Sequence, residues 1–193
     1  IKQLKPPQWP YPVDGSLARE GEELFLDHCA GCHGTYGKNH KYPEKIIPID
    51  DIATDRVRFD SLTQKERSNL NASWFGEYGQ TSRSLGKREF PKGYVAPPLD
   101  GVWATAPYFH NGSVPTLWHV LHPSNRPSVW RRTPTGYDKE HVGLEIEESQ
   151  FMPSGDLSPA ERRAWFDTQK FGKSAVGHDF PSVLSEHEKE AVL

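Results

Sequence analysis

The chain has 193 residues, a formal net charge of −3 and a sequence pI of about 6.3, which fits one domain of ordinary size and excludes a basic face built for nucleic acid. Hydrophobic residues make up only 35%, against 16 glycines and 17 prolines, so the composition predicts a loop-rich fold whose core needs apolar mass from a non-protein group. No apolar run approaches the roughly 18–20 residues of a membrane-spanning helix.

The N-terminal stretch, residues 1–14 with "KPPQWPYPVDG", is dense in proline and predicts an extended, semi-rigid lead-in. Residues 15–193 read as one domain. Leu17, Leu24, Phe25 and Cys29 set a helical stripe over 16–29, with Ser16 or Asp14 as its cap. Gly21 interrupts that stripe and belongs there only if a close contact forbids a side chain. Residues 34–60 look irregular, 62–73 predict a short helix, and 74–98 read as loop. Pro115 opens an apolar run that predicts a helix to Leu121. Residues 123–156 read as loop. "LSPAERRAWFD" predicts a helix capped by Ser158 with Pro159 in its first turn; "LSEHEKEAVL" predicts another, with Ser185 and Glu188 as a capping box. The chain starts at Ile1, as a matured or trimmed polypeptide would, and stops inside that last expected helix, which leaves room for a longer natural protein. No strand signal is strong.

Both cysteines lie in "LDHCAGCHGTYG": Cys29 and Cys32, with His33 directly behind. A thioredoxin-type dithiol wants a βαβ surround that the sequence lacks. Zinc wants a second pair of ligands at similar spacing, and none of the nine histidines supplies it convincingly. A c-type haem needs less: two thiols one turn apart reach the two porphyrin vinyl groups, and the adjacent histidine reaches the iron from the same side. One covalent haem c is the favoured reading, with zinc and the redox dithiol as the alternatives. Covalent haem is attached outside the cytoplasm, so a periplasmic or secreted location follows.

Four segments carry a resemblance: "PYPVDGSLAREGEELFLDHCAGCHG", "IPIDDIATDRVRF", "APPLDGVWATAPYFHNGSVPTLWHVLHPSNRP" and "FDTQKFGKSAVGHDF". Together they are similar to a bacterial c-type cytochrome family related to the dihaem cytochrome c peroxidases and the haem-containing rubber oxygenases. Those relatives carry two haem domains, one catalytic and one that relays electrons. This chain, with one C-x-x-C-H, resembles the C-terminal, relaying half. The resemblance implies a mainly α fold, a cytochrome c-like helical domain with long loops around one covalently attached haem.

The sixth iron ligand decides between an electron carrier and an enzyme, since an iron capped on both faces only exchanges electrons while an open face binds small molecules. His33 is the expected proximal ligand. Met152, the only methionine, sits in "QFMPSGDLSP", which resembles the ligand loop of small monohaem cytochromes c. His178, in "GKSAVGHDF", matches the histidine that ligates the C-terminal haem in the rubber oxygenase resemblance, and it is the preferred distal ligand with Met152 as alternative. Trp103 and Tyr108, with Phe109 and Trp118, are candidates for the haem wall or for plain core. Arg126, with Arg131 and Arg132, is a candidate partner for a haem propionate. For an open-faced peroxidase or oxygenase, His110 and Glu145 are the weak candidates for an acid–base group. The leading expectation is single-electron transfer to or from a protein redox partner, either as a separate carrier or as the relay module of a larger oxidoreductase.

Overall fold

The computed structural model describes residues 5–74 and 92–193. Two helices from opposite ends of the chain cross at its base. Helix α1 (Gly15–His28) starts where the Asp14 carboxylate accepts the Ser16 and Leu17 amide N–H groups at 2.8 and 3.2 Å, and it ends at Cys29. Helix α8 (Glu186–Val192) carries the expected capping box of Ser185 and Glu188. The two pack at Gly21, where a Cβ would overlap the Ala191 carbonyl oxygen. The glycine that weakens the helical pattern is the contact point itself.

Short elements follow α1. The single turn α2 (Ala30–His33) carries Cys32 and His33, and α3 (Ile49–Ile52), α4 (Val57–Ser61) and α5 (Gln64–Asn71) lie beyond it. Strand β1 (Ile46–Pro48) pairs antiparallel with β2 (Gly93–Val95), Ile47 opposite Tyr94. Most of the expected loop over 74–98 falls outside the described residues. The "PYFHNGS" turn leads through the buried run Ser113–Thr116 into α6 (Leu117–Leu121), which Thr116 caps by accepting the His119 N–H.

Residues 123–156 correct the expectation of a loop, and with it that of a mainly α fold. Strands β3 (Val129–Asp138) and β4 (Gly143–Ser149) form an antiparallel hairpin with an irregularity between Arg132 and Tyr137, and β5 (Trp165–Asp167) pairs on the other edge of β3. Polar residues of this segment pair across the hairpin: Arg131 stands opposite Glu147 and is ion-paired to it at 2.7 Å, while Thr133 donates to Glu145 at 2.8 Å. Val129 and Trp130 are both buried, with Trp130 stacked on Phe166 at 5.2 Å and donating to the Ser113 carbonyl. The helix after Ser158, α7 (Pro159–Ala164), stops short of its predicted end because Trp165–Asp167 join this sheet. The architecture is thus a set of short helices with two small antiparallel sheets. No helix among the described residues is long and apolar enough to cross a membrane.

Candidate functional site

The turn after α1 sets the first half of the site. Cys29 closes α1, and the backbone N–H groups of Cys32 and His33 donate to the Cys29 carbonyl, so both thiols and the imidazole ride on one helical turn. Both thiols are free and half-buried. Burial and the neighbouring Cys32 push the Cys29 thiol above its ordinary range, the opposite of the electropositive setting that activates a redox dithiol. His33 Nδ1 lies 2.8 Å from the Pro97 carbonyl oxygen. A carbonyl only accepts, so Nδ1 carries the proton and donates, which leaves the Nε2 lone pair for a metal. The Tyr36 hydroxyl fastens this corner: it donates to the His33 carbonyl at 3.1 Å and accepts the Leu99 N–H at 2.7 Å.

The second half is the 172–178 loop. The rings of His33 and His178 lie with centroids 6.2 Å apart and planes inclined at 62°. Two imidazoles bound to one metal from opposite sides put their ring centres about 6 Å apart, given a metal–nitrogen bond of about 2 Å and roughly 1 Å from nitrogen to ring centre. His178 sits at φ +55, in the left-handed region that a side chain rarely takes. Its N–H donates to the Ile52 carbonyl at 2.7 Å. Gly177, at φ +83, lets the loop touch the Ala53–Thr54 backbone, which a Cβ there would overlap. Asp55 accepts the Ser174 N–H at 3.1 Å, and Asn111 donates to the Gly172 and Ser174 carbonyls at 3.4 and 2.9 Å. Phe109 and Phe180 flank the His178 ring at 6.0 and 5.4 Å. Burial first, then the charges of His33 and Arg126, lower the His178 pKa to about 4, so the imidazole is held neutral, the form that binds metal.

The residues around this pair fit a haem. His178 Nδ1, Thr54 Oγ1 and His110 Nε2 are buried without a hydrogen-bond partner, and buried polar atoms normally have one. A porphyrin with two carboxylates would bring acceptors of the kind that a buried hydroxyl or ring N–H needs. Among the described residues no group of three or more His, Cys, Asp or Glu side chains converges as a site for a bare metal ion; the histidine pair suits an iron already held in a macrocycle.

The other candidates are dispersed. Met152 is half-buried in the connection between β4 and α7. Trp103 packs in an aromatic cluster with Trp9 and Tyr137 and donates to the Pro7 carbonyl, tying the N-terminal segment to the domain. Tyr108 is buried, with its hydroxyl within 3.2 Å of the Val102 carbonyl and 3.4 Å of the Val142 carbonyl. His110 stacks on Tyr94 at 4.8 Å. Glu145 is engaged by Thr133 on the exposed face of β4, and Arg131 by Glu147. Arg126 is no solvated loop residue: its side chain is 4% exposed and bonds four backbone carbonyls. Of the positioning groups, Pro97 and Ile52 escape sequence reading because they act through backbone carbonyls, and Asp55 and Tyr36 because their partners lie far along the chain; Asn111, inside "PYFHNGS", is the one whose place in the signature turn could have flagged it.

Comparison with known proteins gives two family matches, to the cytochrome c model over residues 18–87 and to the RoxA-like, cytochrome c-like model over residues 93–131. The chain is 36% identical over 197 residues to uncharacterized protein y4iM of Sinorhizobium fredii (strain NBRC 101917 / NGR234), an alignment covering 91% of this chain and 44% of the relative. It is 30% identical over 252 residues to uncharacterized protein y4iJ of the same organism, covering 98% of this chain and 40% of the relative. The chain spans less than half the length of these curated relatives.

Proposed function

Because the chain belongs to a c-type cytochrome family related to RoxA-type haem proteins, we propose that it is an electron-transfer domain whose single haem c is six-coordinate, with His33 and His178 as the axial ligands. Cys29 and Cys32 supply the two thioether sulfurs, and His33 the proximal nitrogen, its Nδ1 proton committed to Pro97. The observation that carries the reading is the 6.2 Å separation of the two imidazoles. When bound, the haem supplies an iron that cycles between ferric and ferrous without any bond being made or broken.

The chain's own residues account for the rest. Neutral His178, fixed by Ile52, Asn111 and Asp55, occupies the face where a small molecule would otherwise bind. Phe109 and Phe180 pack beside that ring, and apolar surroundings favour the less charged metal state. Attachment of haem through thioethers implies maturation outside the cytoplasm, so we assign the domain to the periplasm or the secreted fraction, with a protein as redox partner. The relatives' greater length supports a role as the relay module of a larger oxidoreductase.

The test is the intact mass of the denatured natively purified chain together with the absorption spectrum of the oxidised protein. The expected outcome is a mass raised by one haem and a low-spin spectrum unmoved by cyanide or peroxide. A high-spin spectrum that either ligand shifts overturns the carrier reading in favour of a peroxidase- or oxygenase-type enzyme.

A further inference from the structure

Resting on that axial assignment, we infer that Arg126 is the positioning residue of the distal histidine: its guanidinium pins the backbone before His178 against the end of α6 and so fixes where His178 stands opposite His33.

The geometry is a four-point clamp. Arg126 Nη1 donates to the Ala175 and Gly177 carbonyls, both at 2.7 Å, while Nε donates to the His119 carbonyl at 3.0 Å and Nη2 to that of Val120 at 3.3 Å. His119 and Val120 lie in the last turn of α6, where helix carbonyls have no partner further along the helix. One cation thus satisfies a helix end and a loop together. The Gly177 carbonyl belongs to the peptide unit that leads into His178, and the N–H of that same unit donates to Ile52. The peptide plane is therefore held at both ends, by Arg126 through its oxygen and by α3 through its nitrogen. That plane is one of the two between which φ of His178, the left-handed +55, is measured, and it fixes the backbone from which the ring reaches to 6.2 Å of His33.

Packing reinforces the hold. The guanidinium lies 4.8 Å from the centre of the Phe109 ring, and Phe109, itself at φ +65, reaches the His178 ring from the other side. Asp179 stands 3.9 Å from Nη1. Burial draws the Arg126 pKa down to about 10, which still leaves the group charged at neutral pH. The bonds are charge-assisted and shielded from water, the setting in which they are strongest. A propionate contact, the role its sequence position suggests, is not needed to explain why an arginine stands here. A lysine would keep the charge and lose the fork that reaches four carbonyls.

The experiment measures cyanide binding to the oxidised holoprotein, because cyanide reaches a six-coordinate iron only when the distal histidine lets go. Arg126→Met and Arg126→Lys are compared with wild type and with Arg131→Met, a control on the exposed hairpin. Arg126→Met removes all four charge-assisted bonds and Arg126→Lys the fork that spans them, which raises the open population, so the expected rise in cyanide binding rate is about 10–100-fold for Arg126→Met and about 10-fold for Arg126→Lys. Arg131→Met keeps the wild-type rate. If Arg126→Met fails to mature, the lysine variant decides. Wild-type rates in every Arg126 variant that folds overturn the inference alone, provided His178→Gly still turns the iron high-spin. A wild type that is itself high-spin and binds cyanide at once overturns the axial assignment and the inference with it.

Discussion

The two halves of the site are built in opposite ways. His33 is held mainly by its own turn: Cys29, Cys32 and the α2 backbone lie within four residues of it, while the Pro97 carbonyl comes from afar. His178 owes its place to groups far along the chain, namely Ile52 and Asp55 near α3, Asn111 in the signature turn and Arg126 after α6. A ligand fixed by neighbours in sequence survives local loosening, whereas one fixed by long-range contacts depends on the whole fold. The proximal side anchors, and the distal side reports on the integrity of the domain.

The sharpest way to break this comparison is to remove the distal ring. His178→Gly is expected to convert the oxidised iron wholly from low to high spin, while Met152→Leu leaves the spectrum as it is; the reverse pattern would transfer the ligand role to Met152. Next in size is Gly177→Ala. A Cβ at φ +83 would overlap the Ala53–Thr54 backbone, and strain of this kind amounts to about 2–3 kcal/mol. The melting temperature of the holoprotein should fall by roughly 4–12 °C, with part of the iron turning high-spin at temperatures where the circular dichroism of the helices is intact. Loss of both signals together at one temperature would show that the distal loop is no weaker than the rest.

A smaller effect comes from pH. His119 is buried, bonded to Thr116 at 2.7 Å and 3.5 Å from Glu148, and burial with the charges of His141, His122 and Arg126 lowers its pKa from 6.5 to about 4. Folding holds it neutral, so the unfolded chain binds the extra proton as pH falls. Its contribution to stability is full above about pH 6.5 and is lost progressively down to about pH 4. Since the carbonyl of His119 is one of those that Arg126 grips, denaturant melts over this range should show a pH dependence that His119→Asn reduces. The smallest effect is expected at the hairpin. Arg131→Ala removes an exposed cross-strand pair, and the loss should stay within about 1 kcal/mol with no change in the spectrum.

What the sequence made legible follows the same division. Cys29, Cys32 and His33 announce themselves because C-x-x-C-H is a motif of fixed local spacing, and the caps Ser158 and Ser185 are visible because capping is a short-range geometry. The β3–β4 hairpin was hidden by its charges, although Leu144, Glu145, Ile146 and Glu147 do alternate as a half-exposed strand must. Residue type alone makes Arg126 a candidate for a propionate and Trp103 one for a haem wall or plain core. The structure gives each a set of backbone carbonyls or aromatic neighbours that composition does not encode. Pro97 and Ile52 act through carbonyl oxygens, which every residue has, so no reading of side-chain types could have singled them out.

The most direct measurement is the near-infrared magnetic circular dichroism of the oxidised holoprotein, whose charge-transfer band reports the two atoms that flank the iron. Paired imidazoles, as in a low-spin ferric iron bound by His33 and His178, are the predicted result. A thioether–imidazole band or a high-spin signature would contradict it.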